Sequence, residues 1–144
     1  MIQVWINKDE AANAAELAVK LNALVKDRSA GRVLSNDKLP DLLRGFVIFV
    51  DEARKDEAKK LIAAKQIEHS AVAYIPAAKR EESVNGHGIP PNVKNVVYVI
   101  NESTVTAVFQ DVQAADFEKV IKALEETLKA RAEAEKAENE AKKE

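Results

Sequence analysis

The chain has 144 residues, 32% of them charged at a formal net charge of -2 and 47% hydrophobic, with only four glycines and four prolines. Such a composition describes one globular domain with an adequate core rather than a disordered or fibrous chain, and its balanced charge lacks the basic footprint of a nucleic-acid binder. There is no cysteine, which removes disulfides, thiolate nucleophiles and the commonest zinc sites.

The chain opens with Ile2-Gln3-Val4-Trp5-Ile6, a short β-rich run ending at Asn7. Helical spacing follows, with Ala14, Leu17, Leu21, Leu24 and Val25 on one face, and the helix is expected to stop near Asp27 to Gly31. Asn7 reads as the N-cap and Glu10, three residues on, as a variant of the capping box. Leu39 to Leu43, with Pro40 at its start, reads as one helical turn ended by Gly45.

Phe46 to Val50 is an uninterrupted apolar run, the pattern of a central strand buried on both faces. It is among the longest such runs, all far short of the roughly 20 residues that cross a bilayer. Beyond Asp51, the positions Glu57, Ala58, Leu61, Ile62 and Lys65 form a narrow amphipathic helix. Ala71 to Ile75 is a third strand stopped by Pro76, and residues 77 to 94 read as an irregular connection.

Val96 to Ile100 and Thr104 to Val108 flank the polar turn Asn101-Glu102-Ser103, a hairpin pattern. Phe117, Val120, Ile121, Leu124 and Leu128 then recur at helical spacing. From Lys129 to Glu144 there are five acidic and five basic side chains and no large apolar one. That segment extends the helix or stays disordered, so the domain is expected at 1–128 with a charged tail at 129–144.

The order β-α-β-α-β, connection, β-β-α requires right-handed crossovers among the first three strands, with the hairpin added antiparallel. This α/β arrangement, a mixed five-stranded sheet with helices on both faces, resembles the thioredoxin-like superfamily, particularly the branch of peroxiredoxins and secreted thiol reductases. The landmarks are Val4-Trp5-Ile6 leading into a helix, Phe46 to Asp51, Gly88-Ile89-Pro90, the hairpin from Val96 to Phe109, and the last helix. The resemblance implies the sheet order 71–75, 46–50, 2–6, 96–100, 104–109.

It also implies a reactive cysteine pair in Asn7 to Ala12, where this chain has none. A family cis-proline is implied just before the hairpin, whereas Pro90 and Pro91 lie several residues ahead of Val96. Either the loop is longer here, or Lys94-Asn95 stands where the proline was. The family-equivalent binding surface comprises Asn7, Lys8, Asp9, His87, Pro90 and Pro91.

Among other candidates, Asp9 and Glu10 read as capping carboxylates in the first helical turn that oppose an incoming anion or thiolate. His69 and His87 have no partners at metal-ligand spacing, the serines have no nucleophile elbow, and no phosphate-binding glycine motif occurs. Trp5, Tyr74 and Tyr98 read as packing residues in strands, and Asp51 and Glu52 as a solvated strand end.

The expected function is a redox-inactive thioredoxin-like domain that binds a protein or peptide as an accessory module, without metal, cofactor, nucleic acid or membrane. The alternative is a thiol-independent enzyme acting with a bound cofactor or a glutathione-like substrate. Met1 runs straight into a strand pattern rather than a signal peptide, as in a cytoplasmic protein, or in a secreted or periplasmic one already trimmed.

Overall fold

The computed structural model describes residues 1–29 and 43–144. Strand β1 (Ile2–Ile6) leads to helix α1 (Ala11–Ser29), β2 (Gly45–Phe49) to α2 (Lys55–Lys65), and β3 (Ala71–Tyr74) to a short helix α3 (Arg80–Gly86). The hairpin β4 (Asn95–Asn101) and β5 (Thr104–Gln110) and the long helix α4 (Glu118–Ala141) complete the order. The helical turn expected at 39–43 lies outside the described residues but for Leu43.

The sheet order is β3-β2-β1-β4-β5. Strand β1 pairs in parallel with β2 and antiparallel with β4, β2 pairs in parallel with β3, and β4 pairs antiparallel with β5. The first strand of the chain is therefore the middle of the sheet, in the order that the resemblance implies.

Period-two alternation sorts the strand residues onto two faces. On the first, Ile2, Val4, Ile6, Val47, Phe49, Val97 and Val99 pack with Leu17 and Leu21 of α1, Leu61 of α2 and Phe117, Val120 and Leu124 at the start of α4. On the second, Trp5, Val50 and Val96 are covered by Ile89, Val93 and Val84. Among the described residues helices thus lie on both faces, but unequally: three long ones on the first, seven-residue α3 on the second.

Two sequence expectations are corrected. Residues 77–94 are not wholly irregular, because the single turn at Ala77–Lys79 continues into α3. The run Phe46 to Val50 is not buried on both faces, since Phe46 and Ile48 are only half-buried while Val47 and Phe49 are fully buried. The second difference arises because, among the described residues, α3 is too short to cover the second face.

Close packing fixes one glycine. A Cβ on Gly45 would lie 2.9 Å from Val25 Cγ2 and 3.0 Å from Leu21 Cγ, so a side chain there displaces α1 from β2. Elsewhere the hairpin carries a bulge: the pairing steps from Val99↔Ala107 to Ile100↔Val105, leaving Thr106 as the extra residue. Thr106 Oγ1 donates to the Val99 carbonyl at 3.3 Å and lies 2.8 Å from Thr127 Oγ1, which fastens α4 across the hairpin.

Helix α4 has 24 residues, about 36 Å at 1.5 Å per residue, and outruns the seven-residue strands beneath it. From residue 132 onward every side chain is exposed, and the pairs Arg131–Glu135 and Glu138–Lys142 support the helix at i,i+4 spacing.

Phe49 is fully buried between β1, α2 and the Arg54 guanidinium, which lies 5.1 Å from its ring centroid. Phe49→Ala is expected to destabilise the fold by about 3–5 kcal/mol in chemical denaturation. A loss below about 1 kcal/mol would place the residue outside the load of the core.

Candidate functional site

Where β1 ends, the chain must turn into α1 while staying tied to β4. Its backbone continues the pairing, with Asn7 N donating to Lys94 O at 2.9 Å and Lys8 N to Val93 O at 3.4 Å. The carbonyls of the connection before β4 have no ladder partners, so a side chain must supply donors. Asn7 does so: its Nδ2 lies 3.0 Å from Val93 O, 3.2 Å from Pro91 O and 3.4 Å from Pro90 O.

Asn7 is therefore not the N-cap of α1, and Glu10 does not complete a capping box. The helix begins at Ala11, so Asp9 and Glu10 precede its first turn rather than occupying it. Asp9 is buried, and Oδ1 accepts from Glu10 N at 2.9 Å. Its Oδ2 accepts from Asn13 Nδ2 at 2.8 Å and from Asn95 Nδ2 at 2.7 Å.

Asn95 is wholly buried, and it both donates to Val112 O at 3.0 Å and accepts from Val112 N at 2.9 Å. Asn13 likewise donates to Val112 O at 3.0 Å and accepts from Ala114 N at 2.9 Å. Three side chains thus bind the start of α1, the start of β4 and the turn before α4 into one polar network inside the core. The network is satisfied at every side-chain oxygen, which is what a buried polar cluster needs in order not to destabilise the fold.

Neither Asn13 nor Asn95 was singled out from the sequence. Their signals were present: a polar residue four positions after Asp9 on an alanine-rich face, and an asparagine opening an otherwise apolar strand.

The other candidate residues fall on the same end of the sheet. His87 follows α3, and its ring stacks on Trp5 with centroids 4.4 Å apart at 37°. Its Nδ1 lies 2.9 Å from Ser83 O; a carbonyl only accepts, so Nδ1 carries the hydrogen and the ring has no base-like role at that nitrogen. Trp5 Nε1 donates to Gln3 Oε1 at 3.0 Å, and Tyr98 donates its hydroxyl to His87 O at 2.5 Å. The aromatic residues are packing residues that clip α3 to the second face.

Beside these groups lies an open depression of about 510 Å3 between the end of β1 and α3. Asn7, Lys8 and Pro91 line one side, and Ala77, Arg80, Glu81, Val84 and Asn85 the other. Residues of α3 were absent from the sequence-based site because that segment carried no recognisable helix pattern. Pro90 and His87 stand next to the depression rather than in its wall.

Asp51 and Glu52 serve the backbone nearby: Asp51 Oδ1 accepts from Ala53 N at 3.0 Å and Glu52 Oε2 from Ala77 N at 2.8 Å. Arg54 is engaged by Glu57 at 2.6 Å and reaches Asn7 O at 3.4 Å. Ser70 Oγ is the one buried side-chain polar atom without a partner among the described residues, and it lies at the far end of β3. No cluster of His, Asp or Glu suited to a metal ion occurs among the described residues, and no described helix is long and apolar enough to cross a membrane. There is no cis peptide bond among the described residues, so Pro90 and Pro91 are both trans and Lys94 directly precedes β4.

Two measurements follow from this geometry. Asp9→Ala leaves the Glu10 amide and one N–H of each of the Asn13 and Asn95 side-chain amides without an acceptor, and is expected to cost about 3 kcal/mol or more in denaturant unfolding. Desolvation raises the Tyr98 phenol above its usual value of 10.0, and its donation to a carbonyl favours the same neutral form. Its stabilising contribution is accordingly complete below pH 10.0 and lost as pH rises through the higher folded value. Ultraviolet titration should show a late-ionising phenol that is absent from Tyr98→Phe.

No protein-family profile, no curated protein and no solved structure matches this chain.

Proposed function

We propose that the chain is a thioredoxin-like domain without thiol chemistry that works as a binding module for a protein or peptide. The carrying observation is Asp9. At the junction of the central strand and its helix, where the resemblance implies reactive thiols, the chain has a buried carboxyl group whose two oxygens are engaged by three donors. A side chain so occupied ties the start of α1 to β4. The sheet order β3-β2-β1-β4-β5 is the one the resemblance implies, and it supports the same reading.

The neighbouring depression supplies the binding surface. It is open and shallow rather than enclosed, and it mixes apolar groups, Val84, Ala77 and Pro91, with Lys8, Arg80 and Glu81 at its margins. Enzyme pockets bury most of a small ligand, whereas an open trough of this kind suits a chain segment lying across it. On this reading residues 1–128 form the domain and 129–144 a charged helical extension available for accessory contacts, its side chains beyond residue 131 being exposed.

The test is peptide selection on the immobilised protein, followed by affinity measurement on Ala77→Trp, which fills the depression from an exposed turn. Selected peptides should bind the variant at least about tenfold more weakly, while its melting temperature stays unchanged and neither protein reduces insulin disulfides above a protein-free control. Peptides indifferent to Ala77→Trp would remove the depression as the site. Reductase activity in the unaltered chain would replace the binding module with a cofactor-dependent enzyme.

A further inference from the structure

Nine asparagines occur in the chain, and Asn85 alone is followed by glycine. The pair closes the last turn of α3, and Asn85 lines the depression. Other asparagines are held by their partners. Asn7, Asn13 and Asn95 make the contacts described above, and Asn22 Oδ1 accepts from the amides of His69 at 2.7 Å and Ser70 at 3.1 Å. Asn85 is exposed, and among the described residues its side chain has no hydrogen-bond partner.

Packing does not require a glycine at 86. A Cβ there would meet nothing within 4 Å, and the glycine with a left-handed backbone is Gly88, at φ 63°. Glycine inside a helix is unfavourable relative to alanine. What the missing Cβ provides is an unhindered amide nitrogen beside the Asn85 carboxamide.

We infer that Asn85–Gly86 is a site of spontaneous modification that changes the charge of the depression. The Gly86 nitrogen attacks Asn85 Cγ and forms a C–N bond. The bond from Cγ to Nδ2 breaks, and the Gly86 amide proton leaves with that nitrogen as ammonia. Water then opens the five-membered imide at either carbonyl, giving an aspartyl residue or the isomer whose main chain runs through the side-chain carboxyl. One water is consumed and one ammonia released, with no oxidant or enzyme.

The fold sets the rate. Helical backbone angles turn the Gly86 nitrogen away from Asn85 Cγ, so the ring closes only when the last turn of α3 opens. Seven residues are too few for a helix to be stable by itself. The turn is held instead from both sides of the pair, by the packing of Val84 on one and by the contacts of His87 with Trp5 and Tyr98 on the other. Each local opening of those contacts exposes the pair to reaction.

The product is charged. Lys8 and Arg80 against Glu81 leave the lining of the depression one net positive charge, which the new carboxylate cancels. The isomer also lengthens the main chain by one methylene where α3 ends. That this alters peptide capture rests on the binding-module reading, whereas the modification itself does not.

The test is incubation of the purified full chain in warm, mildly alkaline buffer, followed by peptide mapping with mass spectrometry. Asn85 should be the first asparagine to gain the mass of an amide-to-acid change, and isoaspartyl methyltransferase should label the isomer. Gly86→Ala should convert at least about tenfold more slowly with its circular dichroism unaltered, and Tyr98→Phe, which frees His87, several-fold faster. An Asn85 that stays intact while other asparagines convert would overturn the inference. So would a rate that neither Gly86→Ala nor Tyr98→Phe changes. Selected peptides of negative charge should bind Asn85→Asp more weakly; if they do not while the masses behave as expected, the binding-module reading fails and the modification stands.

Discussion

One buried carboxyl group organises the end of the molecule that carries the candidate site. Asp9 takes hydrogen bonds from Asn13 and Asn95, and these two grip the backbone at Val112 and Ala114. The start of α1, the first residue of β4 and the approach to α4 are held at fixed spacing by groups whose pairing leaves no alternative partner. An apolar cluster of equal volume would fill the space but would not specify which backbone atoms meet. Such specificity from a satisfied polar network is a use of buried polarity distinct from stability.

The open depression inherits its shape from this junction. Asn7 leaves β1 with its side chain turned toward the carbonyls of Pro90, Pro91 and Val93, so one wall is fixed by the same strand that runs through the centre of the sheet. The opposite wall is α3, fastened by the Trp5–His87 stack, the Tyr98 hydrogen bond and the apolar contacts of Val84 and Ile89. Among the described residues, the short helix that makes this wall leaves the remainder of the second face open.

Much of the fold is readable in the chain because its strongest signals are periodic. The alternation in Ile2–Ile6 and the helical recurrence of Leu17, Leu21, Leu24 and Phe117, Val120, Leu124 each report burial on one face, while the order of the strands in the sheet was implied by the resemblance alone. Residues 80–86 escaped because Arg80, Glu81 and Glu82 contact solvent and only Val84 packs, too little to set a period. Asn7 was read as a cap because local pattern cannot reveal a partner more than eighty positions away. Asp9 was misplaced for the same reason: a carboxyl before a helix looks alike whether it faces water or Asn95. Long-range polar pairing has no sequence period, so the candidate site was legible as a place but not as a set of contacts.

The separation of these contacts along the chain bears on how the protein is made. Asp9 meets Asn95 across 86 residues, and Asn13 meets Ala114 across 101. At a synthesis rate of about 5–20 residues per second, Asn95 follows Asp9 from the ribosome by roughly 4–17 s. Until then β1 can pair only with β2, and its other edge, which β4 will occupy, is open beside a carboxyl group that still lacks its Asn95 donor. The contacts that tie β1 and α1 to the rest of this end of the sheet therefore form only after most of the chain has been made.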